Sequence, residues 1–280
     1  MGGLRVLKAT WPYDARKPML IPLSILAAVT LATPLSAVPG RIQSAAVPGG
    51  TVLLQRFIRA VGGEAAIRDV QSMSASGQID LPGSDESGQF SWAVADGGRC
   101  VFDMTFPNLG HSNFGTDGLI GWESLTLGNT NTVQQISLST IESRRRRSNW
   151  FELALTLPAR ARSFDTIGLS TFDGTAAFEI RMVDETDRIH HVFFDSATNL
   201  LLGVRLIERG PLGPADVTIR FSNWKPVESL LLFHTVSIDH ADVHLRLQFD
   251  QVSLQDVPQD RFTPPSALKT TPPEKAILPK

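Results

Sequence analysis

The sequence predicts an α+β fold: an antiparallel sheet of about eleven strands, a helix ahead of it and a helical insertion within it. Three observations lead there. Apolar residues alternate with period two over most of the chain after Ser72. Turn signals ("LPGSDESG", "ADGG", "TDG", "FDG", "DSATN", "GPLGP") separate those runs at hairpin length, the pattern of an antiparallel meander. Helical spacing is confined to one stretch before the strands and one in their midst.

At the N-terminus, Arg5, Lys8, Arg16 and Lys17 precede the apolar run "MLIPLSILAAVTLA", Met19 to Ala32. That run is short of the ~20 residues a spanning helix needs. It leads into "TPLSA", where the small residue Ala37 suits a cleavage site, and a second site would end at Ala46. Residues 1–37, or 1–46 with the second site, read as an export signal; the alternative is an uncleaved membrane anchor. Met19 is an alternative start. No cysteine directly follows the run, which argues against a lipid-anchored form. Residues 38–50, "VPGRIQSAAVPGG", form a Pro/Gly linker.

The expected domain spans residues 51–265. In "TVLLQRFIRAVGGEAAIRDVQS", Leu53, Leu54, Phe57, Ile58 and Val61 fall at helical spacing, with Thr51 as N-cap and Gly62-Gly63 as the stop. A second short helix covers Glu64 to Val70. The strands follow. Phe90, Trp92 and Val94 share one face, as do Cys100, Phe102, Met104 and Phe106. Val217, Ile219 and Phe221 alternate, and so do Val243, Leu245, Leu247 and Phe249. Between them "ISLSTIESRRRRSNWFELALTLPARARS" combines good helix formers with Leu138, Ile141, Trp150, Phe151, Ala154 and Leu155, which reads as one or two inserted helices. Residues 266–280 are Pro-rich and expected to be disordered.

Composition narrows the function. The chain has 280 residues, 42% hydrophobic and 19% charged, enough for one domain or at most two. A formal charge of −2 gives no bias toward nucleic acid. Cutting after Ala37 removes four basic residues and Asp14, leaving a mildly acidic chain. The single cysteine, Cys100, makes neither an internal disulfide nor a zinc cluster and reads as a small buried apolar residue.

Catalytic candidates dissolve on inspection. His240 and His244 have the spacing of a helical zinc pair, but they lie on a strand, where four residues span ~13 Å. His190 and His191 point to opposite faces of their strand, so they share no ligand. The stretch they open, "HHVFFDSATNLLLGVRL", reads as a hairpin whose Asp195 and Asn199 serve the turn. His111 and His234 are isolated. The chain contains no G-x-S-x-G, H-E-x-x-H, P-loop, G-x-G-x-x-G or C-x-x-C, and "SALK" lies in the Pro-rich tail. Arg144 to Arg147 point all round a helix, the pattern of a solvated segment; the functional alternative is contact with anionic head groups or an acidic partner.

Several phrases, taken in order, are similar to a known family. "LLQRFIRAVGGEAAIRDVQSMSASGQIDLPG", "TDGLIGWE", "FDGTAAFEIRM", "HHVFFDSATNLLLGVRL", "FSNWKPVESLLLFHTVSI" and "RFTPP" resemble the LolA-like periplasmic carriers, the outer-membrane lipoprotein-sorting proteins, over residues 51–265. Asn199 stands where that family has glycine, Glu228-Ser229 replace a "DG" turn, and the usual proline of the next strand is absent. The resemblance implies a strongly curved sheet forming a half-open barrel, its concave side covered by the first helix and inserted lid helices. It also implies an exported periplasmic protein of the Gram-negative type that binds lipid or lipoprotein acyl chains in an apolar cavity, in lipoprotein or lipid trafficking, without catalysis or cofactor. Phe90, Trp92, Phe102, Met104, Trp122, Phe178 and Phe194 are the expected wall. The alternative is a periplasmic interaction or scaffold module, with an envelope protein as partner and no lipid ligand. No nucleic-acid partner is expected, and the chain is expected to be monomeric.

Overall fold

A computed structural model describes residues 47–84, 86–142, 151, 154–155, 161–185, 187–210, 213–240 and 243–270. The expected signal segment, most of the linker, Arg144 to Arg147, Trp150 and residues 271–280 lie outside them.

Helix α1 (Gly50–Ala60) forms where Leu53, Leu54 and Phe57 fall on one side, and all three are buried. Its N-cap is Gly49, so Thr51 lies inside the first turn and does not cap it. The start is set by packing: a Cβ at Gly50 would stand 2.8 Å from the Phe164 carbonyl oxygen. Gly62 ends the helix at φ 126°, in contact with Ser229. Helix α2 (Glu64–Arg68) is shorter than expected.

Thirteen strands follow: β1 (Ser72–Asp80), β2 (Ser87–Ala95), β3 (Arg99–Phe106), β4 (Gly110–Thr116), β5 (Gly121–Leu127), β6 (Thr130–Ile136), β7 (Ala161–Phe172), β8 (Thr175–Asp184), β9 (Ile189–Asp195), β10 (Leu201–Gly210), β11 (Gly213–Val227), β12 (Leu230–His240) and β13 (Val243–Ser253). All lie in one antiparallel sheet, ordered β6-β5-β4-β3-β2-β1-β13-β12-β11-β10-β9-β8-β7. The sheet is two meanders joined by the β1–β13 pair. Its edge strands are β6 and β7, and residues 137–160 link them. The count exceeds the expected eleven because strands such as β4 ("GHSNFGT") and β6 ("TNTVQQI") carry no apolar alternation to read. So long a twisted sheet does not stay flat, and the open arrangement fits a half-barrel.

The turns answer the sequence departures. Asn199 and Glu228 both take left-handed backbone, at φ 61° and 49°. Asn tolerates that conformation, and Asp195 holds its turn by accepting from the Ala197 and Thr198 amides. Residues 138–142, together with Phe151, Ala154 and Leu155, are helical, and Ile141, Phe151, Ala154 and Leu155 are buried. Leu138 is exposed.

The chain after β13 folds back on the sheet. The 3-10 turn Gln259–Phe262 places Phe262 over Ala93 and Val101. A second, Ser266–Thr270, lies against β6.

Candidate functional site

Strand register divides the expected wall residues between two faces. Phe90 pairs with Met104, Trp92 with Phe102 and Phe102 with Phe114, so these side chains share the inner face. Phe178 pairs with Phe194 on the same face, under Phe57 of α1. Phe90, Trp92, Phe102 and Phe194 are buried; Met104 and Phe178 are half-buried. With Leu53, Phe221, Phe233, Phe249 and others they form one continuous core.

The insertion fills the middle of this face. Phe151 stacks on Phe233 with centroids 4.4 Å apart and planes at 10°. It also lies 5.1 Å from the Phe249 ring and 5.7 Å from Trp92. Such pairs add to the area they bury. The expected wall is thus covered by a side chain of the protein itself.

Trp122 is the correction. It pairs with Gly115, which pairs with Val101, and Val101 belongs to the outer face beneath Phe262. The indole donates to Asn113 Oδ1 at 2.9 Å, and Asn113 donates in turn to Asp103 Oδ2 at 3.0 Å. Trp122 is 1% exposed but faces away from the other six. In "TDGLIGWE" nothing fixes how many residues the turn consumes, and one residue of slip reverses the face.

The histidines divide as their parity requires. His190 pairs with Asp184 at 2.9 Å and His191 with Glu179 at 2.8 Å, on opposite faces of β9. His111 meets Asp103 at 3.0 Å, and His244 of β13 meets Asp239 of β12 at 2.7 Å, so His240 and His244 lie on two paired strands and not on the one strand expected. His234 is buried, and its Nδ1 donates to the Leu232 carbonyl at 3.1 Å. Burial holds its imidazole below the usual range, and Lys225 adds to the effect. Among the described residues no three His, Cys, Asp or Glu side chains are grouped to hold a metal. Cys100 is buried.

On the outer face, Arg220 bonds Asp173 at 2.5 Å and also Asp239. Burial works against both charges. The two carboxylates nevertheless hold the Arg220 pKa up, and His244 and Arg220 hold Asp239 below the usual carboxylate range. A groove of about 670 Å³ runs between β1, β2 and β13 and the segment after Ser253, its lining a mixture of polar residues such as Ser74, Ser91 and Arg261 and apolar ones such as Trp92, Val252 and Val257.

Sequence reasoning missed Trp224. Both Phe221 and Trp224 contact Phe233, at 4.8 and 5.5 Å, although residues three apart on a regular strand face opposite ways. Asn223, at φ 58°, breaks the alternation between them. The Asn in "FSNW" was the available signal.

No family model and no curated protein matches the sequence. A solved structure of a DUF1329 family protein from Desulfovibrio piger is similar over 76% of this chain and 97% of its own, at 11% identity and a TM-score of 0.52. The chain shares that fold. A LolA superfamily protein from Nitrosomonas europaea covers 77% of this chain and 98% of its own, at 10% identity and a TM-score of 0.48. At such identities the likeness is of fold alone.

Proposed function

We propose that the chain is an exported, non-catalytic carrier that holds lipid or lipoprotein acyl chains against the inner face of its sheet. One observation carries the reading: the middle of a broad aromatic face is closed by Phe151, which belongs to the segment linking the two edge strands. An acyl chain and Phe151 compete for one surface. Exposing a Phe ring costs about 1.5–3 kcal/mol, and each buried CH₂ contributes about 0.8 kcal/mol. Roughly four methylenes therefore offset displacement of the ring, and a longer chain gains beyond that. The LolA-like fold and the N-terminal export pattern support a place in the periplasm.

The packed interior also favours a second reading, in which the same fold serves as an interaction module for an envelope protein. Organic extraction of the purified mature protein, with lipid mass spectrometry, separates the two. Acyl lipid near stoichiometry, rising in Phe151→Ala, supports the carrier. A lipid-free extract from both proteins, together with no uptake of a fluorescent acyl probe, overturns it in favour of the interaction module.

A further inference from the structure

Among the described residues, one buried side-chain polar atom on the inner face lacks a partner. The indole Nε1 of Trp224 is buried, and no described residue accepts its hydrogen bond. Its neighbours are carbon surfaces: the ring of Phe57 at 6.2 Å, edge-on, and that of Phe233 at 5.5 Å. A buried N–H of this kind is costly unless paired. Trp122 on the other face shows the ordinary solution, with Asn113 as acceptor. Rings continue from Trp224 through Phe233 and Phe151 to Trp92, so the donor stands at one end of an aromatic track. Among the described residues no Lys or Arg is buried, so the site favours a neutral acceptor over a carboxylate.

Building on the carrier reading, we infer that Trp224 Nε1 is the hydrogen-bond donor to the carbonyl oxygen of an ester- or amide-linked acyl chain, whose tail takes the place of Phe151 between Phe233 and Trp92. The site then selects for a carbonyl at the head of the chain, which apolar burial alone cannot do. Trp224→Phe keeps ring area and removes the donor.

The test compares three probes of equal chain: monooleoylglycerol (an ester), N-oleoylethanolamine (an amide), and oleyl glyceryl ether, which has no carbonyl. Binding to the wild type and to Trp224→Phe is measured by titration calorimetry. Ester and amide affinity should fall about tenfold in the variant while the ether changes less than about twofold. A loss confined to the ester points to a glycerolipid ligand, and one confined to the amide to an N-acylated one. Because the readout is the carbonyl-to-ether ratio within each protein, partial unfolding of the variant cancels. In NMR the Trp224 indole proton, assigned by its disappearance in Trp224→Phe, should move downfield with the ester or amide and stay with the ether. Equal losses for all three probes overturn this inference and leave the carrier reading intact. If no probe binds the wild type, both fall.

Discussion

On the inner face, residues from α1, β1–β3 and β8–β13 join Phe151, Ala154 and Leu155 in one apolar cluster. On the outer face, apolar residues survive as islands, each closed by its own device. Phe262 seals Ala93 and Val101. Arg205 lies over the rings of Phe172 and Phe193, 5.0 Å from each. Trp122 lies over Gly115, and Phe172 over Gly203, where a Cβ would stand 2.6 and 2.3 Å from ring carbons. Apart from the Trp224 indole N–H, the inner core asks for apolar volume, so one apolar group can stand in for another. The outer face is specified atom by atom. A surface meant to exchange its own cover for a ligand needs the first kind of packing.

Two buried rings test the contrast most severely. Phe233 and Phe262 are each 1% exposed, but Phe233 touches Phe151, Phe221, Trp224 and Phe249, whereas Phe262 covers a small island. Phe233→Ala should cost about 3–5 kcal/mol, because the surrounding rings cannot close the gap. Phe262→Ala should cost about 2 kcal/mol, since the chain after Ser253 can shift to fill it. Urea unfolding of both variants measures this, and equal losses would show that the outer island is as integral to the fold as the inner core.

Next in size is the glycine beneath Trp122. Gly115→Ala forces a Cβ against Trp122 Cζ2 at 2.6 Å and the Cys100 carbonyl oxygen at 2.8 Å. The expected loss is about 1–3 kcal/mol, as for other overpacked sites. Adding Trp122→Phe should return part of it, because the smaller ring frees the space. Thermal melts of the single and double variants decide; simple additivity would show that the ring is not what the glycine accommodates.

How far the sequence reached follows the same division. The inner face was legible wherever alternation was strict, so "GQFSWAV", "CVFDMTF" and "VHLRLQF" placed Phe90, Trp92, Phe102, Met104 and Phe249 correctly. It failed where parity depends on a turn or an irregular residue. Trp122 follows a turn of unknown register, and Trp224 follows the left-handed Asn223. The cap of α1 was missed because tertiary contact at Gly50, not a side-chain cap, sets its start. Strands β4 and β6 escaped because pairing, not pattern, holds them in the sheet.

A pH dependence should be smaller still, and it belongs to His234. Burial holds its folded pKa below the unfolded value of about 6.5. The unfolded chain therefore takes up the proton first. Stability is full above that value and is lost as the pH falls from it toward the folded pKa. His234→Gln should flatten this part of the profile. Asp239, also lowered, has the same sign but acts only in the range of carboxylates, so the two separate on the pH axis. Unfolding free energies between pH 7.5 and 5.0, as a roughly spaced series, would show a slope that vanishes in the variant; an unchanged slope would assign it to another group.

The smallest effect compares the two faces within one dipeptide. His190 belongs to the inner side of β9, its side chain 12% exposed beside Asp184; His191 belongs to the outer side, 41% exposed beside Glu179. Removing the His190 ring takes away a largely desolvated hydrogen bond, but Asp184 keeps the Arg188 amide at 3.0 Å. His190→Ala should therefore cost about 1 kcal/mol. His191→Ala removes a pair that water already screens, and should cost no more than about 0.5 kcal/mol. Neither change should alter acyl-probe binding, because both partners are carboxylates satisfied within their own hairpins. Chemical denaturation of the two single variants gives the difference. If His191→Ala proved the costlier change, the outer side of β9 would be covered by something beyond the residues that surround it here, and the division between an exchangeable inner face and a locally specified outer face would fail at that strand.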